Sequence, residues 1–163
     1  MVSLIVHFVI GILLIAWVIK ANPQLFSRPA DGGMFSPLEL VYYAVGIASV
    51  AAGYYFNHQF VMEYQVAGGN LFSGPASYQN FVALGYTNPA AASQVQDYTI
   101  LNVLLLPLFT IVDGRRRGIR RSWLFFVISL FTSCAFAFAF YFALVERQRR
   151  HEKAATALDS VQA

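Results

Sequence analysis

Charge is scarce in this chain. Of its 163 residues only 12% are Asp, Glu, Lys or Arg, against about 25% in an ordinary soluble domain. Apolar residues make up 58%, and a soluble protein so composed would lack the polar surface to cover its core. A lipid-facing surface is implied. Cysteine is limited to Cys134, inside an apolar run, which excludes an intramolecular disulfide and reads as a small buried hydrophobe. There is no Cys-x-x-Cys-His, no His-Glu-x-x-His, no Gly-x-Ser-x-Gly and no phosphate-binding glycine loop. The net charge of +3 is small; about half of the Lys and Arg fall within 115–121 and most of the rest within 147–153. Basic clusters beside apolar runs suit a membrane surface and argue against nucleic acid.

What is present is a set of long apolar runs. Val2–Ile19 is followed by Lys20, with Trp17 near its end. At about 1.5 Å per residue it nearly spans a hydrocarbon core of about 30 Å. It lacks a basic leader and a small-x-small cleavage site, so a retained helix is expected rather than a signal peptide. Asn22-Pro23, Arg28-Pro29 and Asp31-Gly32-Gly33 break the chain into a loop. Ser36-Pro37-Leu38-Glu39 then starts a second span over 37–57: Ser36 caps, Pro37 fits the first turn, and Glu39 suits the helix dipole. Ala44, Ala48 and Ala52, with Ser49 and Gly53, offer small residues for close helix approach.

Residues 62–87 read as a long irregular loop, with Ala67-Gly68-Gly69-Asn70, Ser73-Gly74-Pro75 and the aromatics Tyr64, Phe72, Tyr78, Phe81 and Tyr86. Asn88-Pro89 caps a third span over 89–112, which Pro107 should kink. After the basic turn, 123–145 is a fourth span rich in Phe; the polar residues 147–163 are expected to fray into a disordered tail. The fold class predicted is therefore all-α, an integral membrane four-helix bundle in one domain over 1–146, with the irregular loop between helices two and three.

Four spans place Lys20, Arg28 and the five arginines of the turn on one side, and the four cations of the tail on the other. The positive-inside rule puts the turn in the cytoplasm and both termini opposite.

Ionisable groups within a bilayer are functional candidates because they are costly. Here they are His7, His58 and Asp97, with Asn57 and Asn102 as polar companions. Span direction brings His7, His58 and Asp97 toward one face, beneath the 61–96 loop. The sharp readings are a His-Asp proton site or haem held by His7 and His58; the plain one is a set of wet interfacial side chains. No other metal site is suggested. Arg115, Arg116, Arg117, Arg120 and Arg121 fit anionic lipid or an acidic partner, and the Phe set of 123–145 fits lipid, a quinone or a pigment. The leading function is an accessory or assembly subunit alongside other membrane subunits, or a binder of a small apolar molecule. A redox or proton-handling enzyme using His7, His58 and Asp97 is the alternative, and a small transporter the third.

From Thr87 onward the chain resembles the family called domain of unknown function 2834. The likeness lies in Asn88-Pro89 leading to Asp97, the turn Asp113-Gly114-Arg115-Arg116-Arg117-Gly118-Ile119-Arg120-Arg121, Trp123-Leu124, and Glu146-Arg147. The family pattern at the turn has Glu where Asp113 stands and Met where Ile119 stands. The resemblance covers roughly 40–150, so 2–19 looks like an added helix and the 61–96 loop an extended one. It implies a small membrane protein and carries no activity.

Overall fold

The computed structural model describes residues 2–29, 33–65 and 73–162. Among these the regular structure is all helical: α1 (Val2–Ala21), α2 (Pro23–Phe26), α3 (Pro37–Tyr64), α4 (Tyr78–Leu84), α5 (Pro89–Ile100), a π turn (Leu101–Leu105), α6 (Leu106–Arg116), α7 (Leu124–Phe131) and α8 (Cys134–Gln162). Three helical stretches are long and apolar enough to cross a membrane: Leu4–Ala21, Pro37–Tyr64 and Pro89–Arg116.

The helix starts follow local chemistry. Ser36 accepts the Glu39 N–H at 3.1 Å ahead of Pro37, and Asn88 accepts the Ala91 N–H at 2.9 Å ahead of Pro89. Pro107 cannot donate to the helix ladder, and the π turn lies immediately before it. The expected irregular stretch 62–87 holds more order than anticipated: α3 runs on to Tyr64, and α4 is capped by Ser77, which accepts the Asn80 N–H at 3.1 Å. The Ala67-Gly68-Gly69-Asn70 segment and Phe72 lie outside the described residues, as does Asp31-Gly32.

The expected fourth span requires correction. Residues 123–145 form two antiparallel pieces instead of one helix. A straight helix would separate residues 125 and 141 by about 24 Å, yet the rings of Phe125 and Tyr141 are 5.0 Å apart. The reversal falls at Thr132-Ser133, the polar pair within the run. Thr132 turns its hydroxyl back to the Ile128 carbonyl at 2.7 Å, and Ser133 caps α8 by accepting the Phe136 N–H at 3.0 Å. Local side-chain bonds of this kind compete with helix continuation.

Two further expectations change with the hairpin. The tail is helical through Gln162, because α8 continues without interruption. It also lies beside the basic turn instead of opposite it, with the Gln148 side-chain amide donating to the Arg117 carbonyl at 2.9 Å.

α8 packs most extensively on α3, antiparallel to it. A Cβ on Gly46 would stand 3.1 Å from the Phe136 ring and 3.4 Å from Ala139. The close approach therefore uses Gly46 and Ser49, while Ala44, Ala48 and Ala52 are exposed. The main core cluster, with Val18, Leu106, Leu124, Phe125, Ile128 and Leu144, is concentrated around the hairpin and the basic turn.

Candidate functional site

The tip of the hairpin gathers polar groups from every long helix. α7 has 8 residues, about 12 Å of helix, so the tip stands about halfway along α1 and α3. From α1, Gly11 meets it: a Cβ there would lie 3.1 Å from the Thr132 methyl and 3.3 Å from the Phe131 carbonyl. From α3, the Ser49 and Ser133 hydroxyls are 2.9 Å apart, and Tyr54 donates its hydroxyl to the Phe131 carbonyl at 3.2 Å. These bonds satisfy backbone and side-chain groups that the reversal leaves over. His7 lays its ring 5.4 Å from that of Phe131.

The third long stretch contributes through the π turn. Asn102 is 5% exposed and donates its amide to the Tyr98 hydroxyl at 3.3 Å. Tyr98 in turn neighbours the backbone of Cys134, the first residue of α8. The Asn102 carbonyl oxygen is buried without a hydrogen-bond partner among the described residues. Buried orphan acceptors are uncommon in native proteins, and π turns are frequent at functional sites.

Of the five polar candidates from the sequence, the structure brings His7 and Asn102 to this tip. Asn57 is half-buried on α3, and His58 and Asp97 are exposed. Among the described residues no group of three or more His, Cys, Asp or Glu is placed to hold a metal ion. Sequence reasoning took Ser49 only as a packing residue and missed Tyr54, Tyr98, Thr132 and Ser133. Their available signal was the Thr132-Ser133 interruption of the phenylalanine run.

A second cluster ties the basic end together. Glu39 is 0% exposed and receives Arg147 at 3.2 Å on one oxygen and Arg150 at 2.9 Å on the other. Arg147 also donates to the Leu25 and Ser27 carbonyls, Arg150 to that of Gly33. The Arg147 guanidinium lies 5.9 Å from the Phe26 ring and 5.2 Å from that of Phe35, close enough for cation–π attraction. Glu39, the acid in the first turn of α3, thus also pairs in the interior with both arginines.

The basic turn is pinned as well. Gly118 adopts φ +69° and closes α6 in a Schellman motif, with Ile119 N–H to Gly114 O at 2.8 Å and Gly118 N–H to Arg115 O at 3.2 Å. Asn22, 0% exposed, accepts the Arg120 N–H at 2.8 Å and donates to the Arg120 and Val18 carbonyls at 3.0 and 2.9 Å. Asp113 accepts from Arg117 and from the Tyr141 hydroxyl, both at 2.7 Å; that hydrogen bond holds the Arg117 guanidinium more firmly charged than usual. Arg115, Arg116, Arg120 and Arg121 are exposed.

A family model described as "Protein of unknown function DUF2834" matches residues 41–147. No curated protein and no solved structure matches the chain.

Proposed function

The chain belongs to the DUF2834 family, and on that footing we propose that it is an accessory subunit of a membrane assembly. It crosses the bilayer by α1, α3 and α5–α6, and dips the α7–α8 hairpin halfway in from the basic side. Non-helical backbone at membrane depth is tolerated where protein buries it, and Gly11, Ser49 and Tyr54 surround this reversal. The arrangement puts all 11 Lys and Arg on one side, at 20–28, 115–121 and 147–153, which the positive-inside rule makes cytoplasmic. The amino terminus then lies opposite and the α8 tail on the cytoplasmic side.

The observation that carries the subunit reading is the half-depth stop. Beyond the tip, among the described residues, the long helices that continue are α1, α3 and α5, and α1 and α3 leave apolar side chains exposed there: Ile5, Phe8, Tyr55, Phe56 and Met62 are each about half or more accessible, from 51% to 62%. Thr132 and Ser133 are only half-buried beneath them. Polar groups at that depth are better covered by protein than by acyl chains, and a partner helix supplies both the cover and the apolar contact.

Native mass spectrometry of gently extracted protein tests this. The expected result is a reproducible larger complex with one other membrane polypeptide at fixed stoichiometry. A bare monomer carrying a stoichiometric small apolar molecule would shift the reading to ligand binding, which the unpaired Asn102 oxygen favours. A bare monomer without either would defeat both.

A further inference from the structure

Resting on the membrane reading above, we infer that the corner where α1 meets the basic turn is a headgroup site for anionic phospholipid, formed by Lys20, Arg120 and Arg121 and framed by Trp17 and Trp123. The first ground is which cations are already engaged. Arg117 pairs with Asp113, Arg147 and Arg150 with Glu39, and Arg149 with Glu146. Among the described residues, no carboxylate stands within ion-pair distance of Lys20, Arg120 or Arg121, and all three are exposed.

The second ground is rigidity. Two Asn22 bonds fix the Arg120 backbone to the end of α1. Arg121 sits at φ +61°, its carbonyl taken by the Leu124 N–H at 2.9 Å. The backbone that carries these cations is therefore ordered before any ligand arrives, which lowers the entropic cost of binding.

The third ground is depth. Arg121 lies 5.9 Å from the Trp17 ring, and Trp17 meets Trp123 edge-on at 5.9 Å. Exposed indoles collect at the membrane–water boundary, and Lys20 follows Trp17 by about one helical turn. The cations are thus level with lipid phosphates. Guanidinium groups take phosphate oxygens by paired N–H donation. The exposed apolar face of α1, with Leu13 and Val9 one and two turns back from Trp17, continues from the same corner toward the acyl chains. A zwitterionic headgroup brings its own ammonium and gains less.

The test uses the full chain in nanodiscs of mixed phosphatidylcholine and phosphatidylglycerol, with retained lipids counted by native mass spectrometry. Phosphatidylglycerol should be retained preferentially. The triple variant K20Q/R120Q/R121Q should lose that preference, with a fall of about fivefold for each cation removed. Arg121→Gln alone should give the single-step loss if the triple variant fails to assemble. R149Q/K153Q, which removes two charges from α8, should retain the preference. Equal retention of both lipids by the wild type, or equal loss in both charge variants, would overturn the site while leaving membrane insertion intact. A wild-type chain that stays in the aqueous phase would instead remove the membrane reading, and this site with it.

Discussion

Glu39 decides how the basic end holds together. It is a single carboxylate, wholly buried, facing two guanidinium groups, and each guanidinium also donates to a backbone carbonyl, Arg147 to Ser27 and Arg150 to Gly33. Removing one partner of such a cluster costs more than the cluster itself contributes, because a buried charge is left unpaired. Glu39→Gln should lower stability by about 3–5 kcal/mol, read as a large fall in the detergent melting temperature followed by circular dichroism; an unchanged melting curve would remove the cluster's role. A second residue-scale prediction concerns Gly114, where an added Cβ would stand 2.5 Å from the Ser122 Cβ. Gly114→Ala should cost about 1–3 kcal/mol through overpacking, checked by the same melt. Sequence alone made the caps at Ser36 and Asn88 legible because capping is a bond across three residues. It read Glu39 only as a dipole partner, since its ion-pair partners Arg147 and Arg150 lie 108 and 111 positions away.

At the scale of elements, the α7–α8 hairpin is where sequence reading and structure part. Length and apolarity over 123–145 satisfy a span, and the same residues satisfy two short antiparallel pieces. What distinguishes them is Thr132-Ser133, together with Ser49 and Tyr54 on a helix distant in sequence that receive the tip. Such partners cannot be read from the local pattern. The π turn is a similar case: Pro107 foretold a distortion, and Asn102 within the turn was a polar candidate, but the burial of its unpaired oxygen belongs to tertiary packing. The hairpin makes a sidedness prediction. In a Cys134→Ala background, Arg115→Cys and Ala155→Cys should react with an impermeant thiol reagent from the same side, and Gln79→Cys from the other. Reaction of Ala155→Cys together with Gln79→Cys would restore a fourth crossing.

For the whole molecule, composition pointed to helices long and apolar enough to cross a membrane, which the structure has, and the motifs from Asn88 to Arg147 pointed to the family, which the family model matches. The number of crossings was not legible there, because it depends on where one apolar run folds back. That reversal also brings the start of the tail beside the basic turn, where the four-span reading set its four cations opposite the seven elsewhere. His58 and Asp97 were read as converging from span direction alone, and both are exposed in the structure.

On the membrane reading proposed above, the half-depth hairpin has a mechanical consequence for the surrounding bilayer. In the proposed three-crossing arrangement, the leaflet beside the arginines meets five helical cross-sections, from α1, α3, α6, α7 and α8, and the other meets three long helices among the described residues, α1, α3 and α5. With helices about 10 Å across, the excess is on the order of 150 Å². So inserted, the described helices form a wedge, wide end toward the basic face, that displaces more lipid from one monolayer than from the other. Whether a neighbouring protein or extra lipid fills the narrow end, the two leaflets around it must hold unequal numbers of molecules.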